Sequence, residues 1–210
     1  NLSNGKVAVS YVDKTTNIQG ASRQKNVRLK ASRCILACYN GIIPHLCPEM
    51  PAIQKENLKY GVKCPLVYTN VLLRDGGVLN KAGAKMFTCP NSYYDFLAVA
   101  PLTTLGNYSA TVTNDEPVVL SMSMTPPPQR DPNNPQQTAR DLYRLGCYKL
   151  YTTPYSEYEF NIKEQLNSMF GQYGFDADRD IEAITVNRWS HGYSYSYLDL
   201  FDPKWPPGEA

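Results

Sequence analysis

The chain has 210 residues, 42% of them hydrophobic and 19% charged, which is typical of a globular piece and excludes a tail or a linker. Its 21 basic and 19 acidic residues give a net charge of +2, and the basic residues are dispersed, so nothing favours a nucleic-acid partner. No apolar run approaches the about 18 residues of a membrane-spanning helix, and no amino-terminal export signal is visible.

The six cysteines form no Cys-x-x-Cys pair; they lie at positions 34, 38, 47, 64, 89 and 147. This spacing argues against a thiol redox motif, a c-type haem and a zinc ribbon. With only His45 and His191 available, we predict no metal site. We expect structural thiols, with Cys34 and Cys38 buried in an apolar strand.

The first elements are predicted to be β strands. Residues 7–12 and 27–31 are strand-like and are joined by the polar residues 13–24, which indicates a hairpin. Residues 33–39 are almost continuously apolar, as in a strand that is covered on both faces in a parallel sheet. The turn at 40–41 would end that strand.

One short helix and a further strand are predicted next. Pro51 stands where the helix would begin, and Gly61 terminates it. Residues 66–73 are predicted to form a strand, which Gly76 and Gly77 end.

The middle of the chain is mostly strand and loop, with strands predicted at residues 93–99 and 117–124. Residues 125–137 carry five prolines, which indicates an extended surface excursion. A surface loop without a functional role is the favoured interpretation, and a lid or a docking arm for another subunit is the alternative.

A second helix is predicted to begin at Thr153 and Pro154 and to end at Gly171. Its apolar side chains recur at helical spacing and are interpreted as core rather than as a cofactor site; they are Ile162, Leu166, Met169 and Phe170.

The last predicted strand leads into the stretch that holds most of the candidate site residues. Residues 181–186 are rich in β-branched side chains and are predicted to begin a strand. Polar and aromatic residues then surround Gly192: Asn187, Arg188, Trp189, His191 and Tyr193. Such a sheet edge can present several groups to a pocket. A strand end with ordinary surface aromatics is the alternative.

Two blocks carry a family resemblance. Residues 187–193 (Asn-Arg-Trp-Ser-His-Gly-Tyr) and 200–209 form the first, and residues 36–51, 54–56 and 62–70 form the second. Together they resemble spermidine dehydrogenase-like flavoproteins, distant relatives of the flavin amine oxidases. Residues 75–144 match only loosely.

The resemblance implies an α/β or α+β fold with two parts. A partial FAD-binding-domain sheet would comprise residues 1–70, with the hairpin, the buried strand and the short helix, and residues 186–210 would return to it. Residues 71–185 would form a mixed-sheet substrate domain.

It also implies oxidation of a polyamine-like amine by hydride transfer to FAD. Trp189 and Tyr193 would form the substrate wall. His191 is the catalytic candidate, for which a merely structural hydrogen bond is the alternative. The residues near the cofactor would be Trp189 and Gly192, with Ala37, Cys38, Tyr39 and Asn40 at the end of the 33–39 strand.

The Gly-x-Gly-x-x-Gly turn that holds the FAD diphosphate in such enzymes is not found in this sequence. We therefore expect an internal fragment or one subunit, with FAD bound mostly by other segments or chains. A non-catalytic structural subunit and a polyamine-binding module are the alternatives. The resemblance is compatible with a periplasmic location, which the sequence leaves open.

Overall fold

The structure is a computed structural model, and it describes residues 5–16, 22–101, 103–107, 116–126, 130–193 and 204. The chain divides into two compact units, residues 1–61 and residues 62–210, called unit 1 and unit 2. Within the described ranges, no helix is long and apolar enough to cross a membrane.

Unit 1 is built on an antiparallel hairpin of β1 (Val7–Thr16) and β2 (Ser22–Ala31), which places Val9 opposite Leu29 and Tyr11 opposite Val27. A single 3₁₀ turn (Asn40–Ile42), α1 (Ile43–Leu46) and α2 (Ala52–Leu58) follow. The predicted hairpin and the short helix after Pro51 are confirmed.

The predicted strand over residues 33–39 is wrong. This segment is irregular; Ile35 is 92% exposed, and Cys34 and Cys38 are exposed rather than buried. In the part of the chain that the structure describes, no strand pairs with it, so its backbone joins no ladder and no sheet covers its apolar side chains. An apolar run becomes a buried strand only where such partners are present.

Unit 2 contains, in chain order, β3 (Leu66–Leu73), α3 (Gly77–Ala82), β4 (Met86–Thr88), β5 (Phe96–Val99), β6 (Val118–Met124), α4 (Ala139–Thr152), α5 (Tyr155–Phe170), a 3₁₀ turn (Gly171–Tyr173), α6 (Ala177–Asp180) and β7 (Ile181–Trp189). Its strands form an antiparallel five-stranded sheet in the order β4-β5-β6-β3-β7. The predicted mixture of helices and sheet is confirmed.

One face of this sheet forms the core. Alternate side chains of β3 and β6 are buried, including Val67, Val71, Leu120 and Met122. They belong to one cluster with the buried stripe of α5, which consists of Tyr158, Ile162, Leu166 and Phe170. The period of two in the strands and the period of about 3.6 in the helix explain why these positions face each other.

The helix predicted after Pro154 is confirmed, while α4 was not predicted. Helix α4 begins at a reciprocal capping box in which Thr138 and Asp141 each bond the other's backbone N–H. Its Leu150 is fully buried in the core. Met169, expected in the buried stripe of α5, packs half-buried against the core.

The strands predicted at residues 66–73 and 117–124 are confirmed, and the strand at 93–99 is shorter than expected. Tyr94 lies outside the ladder; its ring is fully buried, and its hydroxyl lies 2.8 Å from the Thr69 hydroxyl. Of the proline-rich stretch, Pro127 and Pro128 lie outside the described residues. Its roles as lid or docking arm stay predictions, as do the cofactor-domain and substrate-domain roles of residues 1–70, 71–185 and 186–210.

Candidate functional site

The candidate site lies on the second face of the unit 2 sheet, which we call the open face. It is formed by the side chains that alternate with the core positions: Tyr68, Asn70 and Leu72 of β3, Phe96 and Ala98 of β5, Val119, Ser121 and Ser123 of β6, and Ala183, Thr185, Asn187 and Trp189 of β7. All are half-buried or exposed. This face therefore presents hydroxyls, amides, aromatic rings and small apolar groups.

The strand register arranges these side chains in rows across the sheet. The middle row runs from Ala98 through Ser121 and Asn70 to Thr185. At its centre, the Ser121 hydroxyl donates to the Asn70 side-chain carbonyl over 2.9 Å. Neighbouring strands are about 4.8 Å apart, so the polar side chains of this row lie close together.

An aromatic border closes one end of the open face. Tyr68 lies one row beyond Asn70, and Trp189 is paired with Leu66 a further row on. The Tyr68 and Tyr193 hydroxyls are 2.5 Å apart, and this hydrogen bond is the main cause that raises the pKa of Tyr68. Trp189 is 57% exposed and Tyr193 is 64% exposed. Both rings are therefore available to a ligand.

The turn after β7, residues 190–193, folds back over this end of the face. The Gly192 N–H donates to the Cys64 carbonyl over 2.9 Å. A Cβ at position 192 would lie 2.8 Å from that carbonyl oxygen and 2.9 Å from the Leu66 Cβ. The turn thus requires glycine for close approach, and this packing is what brings Tyr193 to Tyr68.

The turn is also held from helix α4. The Cys147 thiol donates to the Ser190 carbonyl over 2.8 Å. Burial raises the pKa of Cys147, so this group is a thiol and a hydrogen-bond donor at neutral pH.

His191 is presented by this turn. Burial lowers its pKa from 6.5, and the positive charge of Lys63 lowers it further. The imidazole is therefore neutral at pH 7 and able to accept a proton. Arg188 is paired with the buried Val67 and donates to the Thr153 carbonyl over 3.5 Å, which places its charge on the helix side of the sheet.

The structure brings together four of the predicted site residues, Trp189, His191, Gly192 and Tyr193. The other four belong to unit 1. Ala37 and Cys38 lie in the exposed irregular segment, the Tyr39 hydroxyl donates to the Gly61 carbonyl over 3.2 Å, and Asn40 opens the 3₁₀ turn. They do not end a strand, so the physical basis of their predicted cofactor role is lost; the role itself stays a prediction.

Tyr68, Asn70 and Ser121 are site residues that the sequence did not predict. A signal for them existed, because polar or aromatic residues alternate with Val67, Thr69 and Val71 along β3. That period of two predicts a second face lined by residues 68 and 70. The cross-strand neighbour in β6 could not be predicted from the sequence, because pairing between distant strands is set by the tertiary fold.

Among the described residues, no group of three or more His, Cys, Asp or Glu side chains could hold a metal ion. The chemistry of the open face is that of hydrogen bonding and aromatic contact.

Comparisons with solved structures show a fold relationship. No family model matches the chain, and no curated protein matches it. Among solved structures it is similar to a putrescine oxidase, a double mutant redesigned in its cofactor binding, with a TM-score of 0.50 and 11% sequence identity. The match covers 90% of this chain and 37% of that one. The fold of this chain is therefore similar to part of that putrescine oxidase, and the chain spans 37% of its length.

Proposed function

We propose that the chain is part of an FAD-dependent oxidoreductase that oxidises an amine. The observation that carries the proposal is the open face, where an uncharged polar band ends at an aromatic border in a fold similar to part of putrescine oxidase. The activity does not follow from fold likeness alone, since one fold serves many reactions. The residues of the site supply the further support.

The residues present fit one surface of a flavin ring but not the whole cofactor. Exposed Trp189, Tyr193 and Tyr68 offer aromatic faces, whereas the close approach that Gly192 allows is occupied by the Cys64 carbonyl and Leu66. The sequence holds no Gly-x-Gly-x-x-Gly turn for the diphosphate. FAD, when bound, supplies the hydride acceptor, and most of its binding contacts come from other polypeptide.

The amine must be neutral at the reacting nitrogen before its neighbouring carbon can release a hydride. The open face supports this, because its side chains are uncharged and Arg188 is held on the other side of the sheet. A neutral His191 can accept a hydrogen bond or a proton from the incoming ammonium group, and its lowered pKa makes it a weaker base than a free imidazole. The proposed role of His191 is therefore proton removal or a polar contact in the bound complex.

A polyamine-like substrate is the finer proposal, and the resemblance of residues 187–193 to spermidine dehydrogenase-like flavoproteins motivates it. Such a substrate carries a second ammonium group away from the reacting carbon. The exposed rings of Trp189 and Tyr193 can accept that cation on their faces. We assign these two residues to substrate binding.

Further polypeptide completing unit 1 is part of the same proposal. No described residue of unit 1 is buried, although many of its apolar side chains are large. The exposed ones are Val9, Tyr11, Val12, Leu29, Ile35, Leu36, Ile42, Leu46 and Ile53. An isolated amphipathic hairpin is only marginally stable in water. We therefore propose that another segment or chain covers these apolar side chains.

A test of the function uses the native protein with all of its polypeptide and bound flavin. Anaerobic stopped-flow mixing with spermidine measures the rate of flavin reduction. His191→Ala should lower that rate by about 10²-fold or more, the usual contribution of a positioned acid or base. His45→Ala, a histidine that lines a cleft in unit 1, is the matched control and should leave the rate unchanged.

Each outcome decides between the alternatives. Flavin reduction that depends on His191 supports the enzyme. Equal rates in both variants remove His191 from the mechanism. A protein that retains flavin and is not reduced by spermidine or by monoamines is the non-catalytic subunit, which keeps the fold without turnover.

A further inference from the structure

Two cysteines from different elements contact the same turn. Cys147 in α4 donates its thiol hydrogen to the Ser190 carbonyl over 2.8 Å. Cys64, just before β3, accepts the Gly192 N–H on its carbonyl over 2.9 Å. Residues 190 and 192 are two positions apart, so the turn brings the two cysteines into one small region of unit 2.

Both thiols are free and partly buried. The Cys64 thiol makes one weak contact, 3.4 Å to the Pro65 carbonyl. Burial raises the pKa of Cys64, and Cys147 raises it further. Cys89 is engaged differently, with its sulfur 3.8 Å from that of Met169.

We propose that Cys64 and Cys147 are a reversible dithiol–disulfide pair that controls the turn bearing His191 and Tyr193. The oxidant is a small disulfide of the glutathione disulfide class. One thiolate attacks a sulfur of that disulfide and expels one glutathione thiolate, forming a mixed disulfide. The second thiolate then attacks the protein sulfur and expels the other glutathione.

The balance closes without a further reactant. Two protein thiols lose two protons and two electrons and become one disulfide, while glutathione disulfide gains both and becomes two glutathione thiols. Because the pKa values of both cysteines are raised, the thiolates are scarce at neutral pH. Disulfide formation should therefore accelerate as the pH rises toward the thiol pKa.

Oxidation removes a specific hydrogen bond. Once Cys147 is a disulfide it has no hydrogen to donate, so the Ser190 carbonyl loses its thiol partner. The turn keeps its hydrogen bond from Gly192 to Cys64 but loses its hydrogen bond to helix α4. We expect it to open more often, which moves Tyr193 away from Tyr68 at the end of the open face.

Control of amine oxidation by this pair rests on the proposed function. Formation of the disulfide and loosening of the turn do not depend on that function. A protein without flavin chemistry would still show both, so failure of the function and failure of this inference are distinguishable.

The experiment treats the protein with glutathione disulfide at mildly alkaline pH, then blocks free thiols with N-ethylmaleimide in acid and digests with trypsin. Cys64 falls in residues 64–74 and Cys147 in residues 145–149, each with a single cysteine. We expect mass spectrometry to show these two peptides joined in most molecules. We expect Cys147→Ser to give no such species and, through its hydroxyl, to keep a donor for Ser190.

Amide hydrogen exchange reports on the turn. Gly192 should exchange about fivefold faster or more in the oxidised protein than in the reduced one, and Cys147→Ala should reproduce that change without oxidant. In Cys147→Ser, the oxidant should leave exchange at Gly192 unchanged.

Two results would overturn the inference. The first is no joined peptide at an oxidant level that modifies residues 34–55, which carry the exposed Cys34 and Cys38. The second is a joined peptide with unchanged exchange at Gly192, which would show a disulfide without control of the turn.

Discussion

Gly192 makes the closest approach in the candidate site, and its replacement gives a direct test of the packing. A Cβ there would meet the Cys64 carbonyl oxygen at 2.8 Å and the Leu66 Cβ at 2.9 Å, so backbone must shift. We expect Gly192→Ala to destabilise unit 2 by about 1–3 kcal/mol, the usual cost of overpacking.

Gly171→Ala is the matched control, because nothing lies within 4 Å of a Cβ at that position. It should be neutral or stabilising by about 0.4–1 kcal/mol through the entropy of the unfolded chain. Denaturant unfolding of both variants measures the difference. Equal stabilities would show that the turn does not pack on Cys64 and Leu66 as described.

His191 gives a prediction about pH. Burial is the larger cause of its lowered pKa, and Lys63 is the second. Lys63→Gln should therefore raise the pKa of His191 while leaving it below 6.5. Nuclear magnetic resonance titration of the ring protons measures it, with His45→Gln assigning the two histidines. An unchanged pKa in Lys63→Gln would mean that the charge of Lys63 does not reach the imidazole.

The sign of the stability effect follows from the same shift. The unfolded chain has the higher histidine pKa, so it binds more protons just below pH 6.5 than the folded chain does. Stability from this group is present above that range and is lost as the pH falls through it. Replacement by glutamine should flatten that part of the stability profile.

The exposure of Trp189 changes what its truncation means. Removal of a buried tryptophan costs about 3–5 kcal/mol. With 57% of the residue exposed, Trp189→Ala should cost well below that range. A large loss of amine or flavin affinity in this variant would therefore report contact with the ligand rather than collapse of the fold.

At the scale of elements, the Thr69–Tyr94 pair joins β3 to the segment that precedes β5. The two hydroxyls are 2.8 Å apart, both residues are fully buried, and burial raises the pKa of Tyr94 to about 12. Thr69→Val or Tyr94→Phe alone should cost about 1–3 kcal/mol, because each leaves one buried hydroxyl without that partner.

The double variant of this pair should be less destabilised than the sum of the two single variants. Removing both hydroxyls leaves no orphaned group. Urea unfolding of the wild type and the three variants closes the cycle. Strict additivity would contradict the hydrogen bond.

Local patterns predicted the elements that carry their own signals. Leu66–Leu73 alternates and is bounded by glycines, and α5 has a proline start, an apolar stripe and a glycine end. Helix α4 was not predicted, for two reasons. Its capping box ends in Asp141 rather than glutamate, and its apolar stripe is interrupted by the tyrosines Tyr143, Tyr148 and Tyr151. The prediction of a buried strand at residues 33–39 was wrong because composition cannot show whether partner strands are present.

The site could be predicted in part for the same reason. Trp189, His191, Gly192 and Tyr193 are adjacent in sequence, so one turn gathers them. Their partners Cys64, Tyr68 and Cys147 are distant in sequence and come together only through the β3–β7 pairing and the packing of α4. No local pattern encodes such a meeting.

At the scale of the whole molecule, the two units differ in how they are stabilised. Unit 2 has a core of fully buried side chains, whereas no described residue of unit 1 is buried. In the isolated chain, amides of β1 and β2 should therefore exchange with solvent faster than those of β3 and β6, by about 10²-fold or more.

The native assembly is the control for this difference. If further polypeptide covers unit 1, the hairpin amides should become protected there while β3 changes little. Hairpin amides as protected in the isolated chain as those of β3 would show that unit 1 is complete without a partner.

We propose that this chain works as part of an amine-oxidising flavoprotein, and the visible absorbance spectrum of the native assembly can show whether it does. The assembly is purified without added cofactor, and its spectrum is recorded before and after anaerobic addition of spermidine. We predict flavin bands in the first spectrum and their bleaching in the second, with slower bleaching in His191→Ala. A native assembly without flavin bands, or one whose bands no amine bleaches, would contradict the claim.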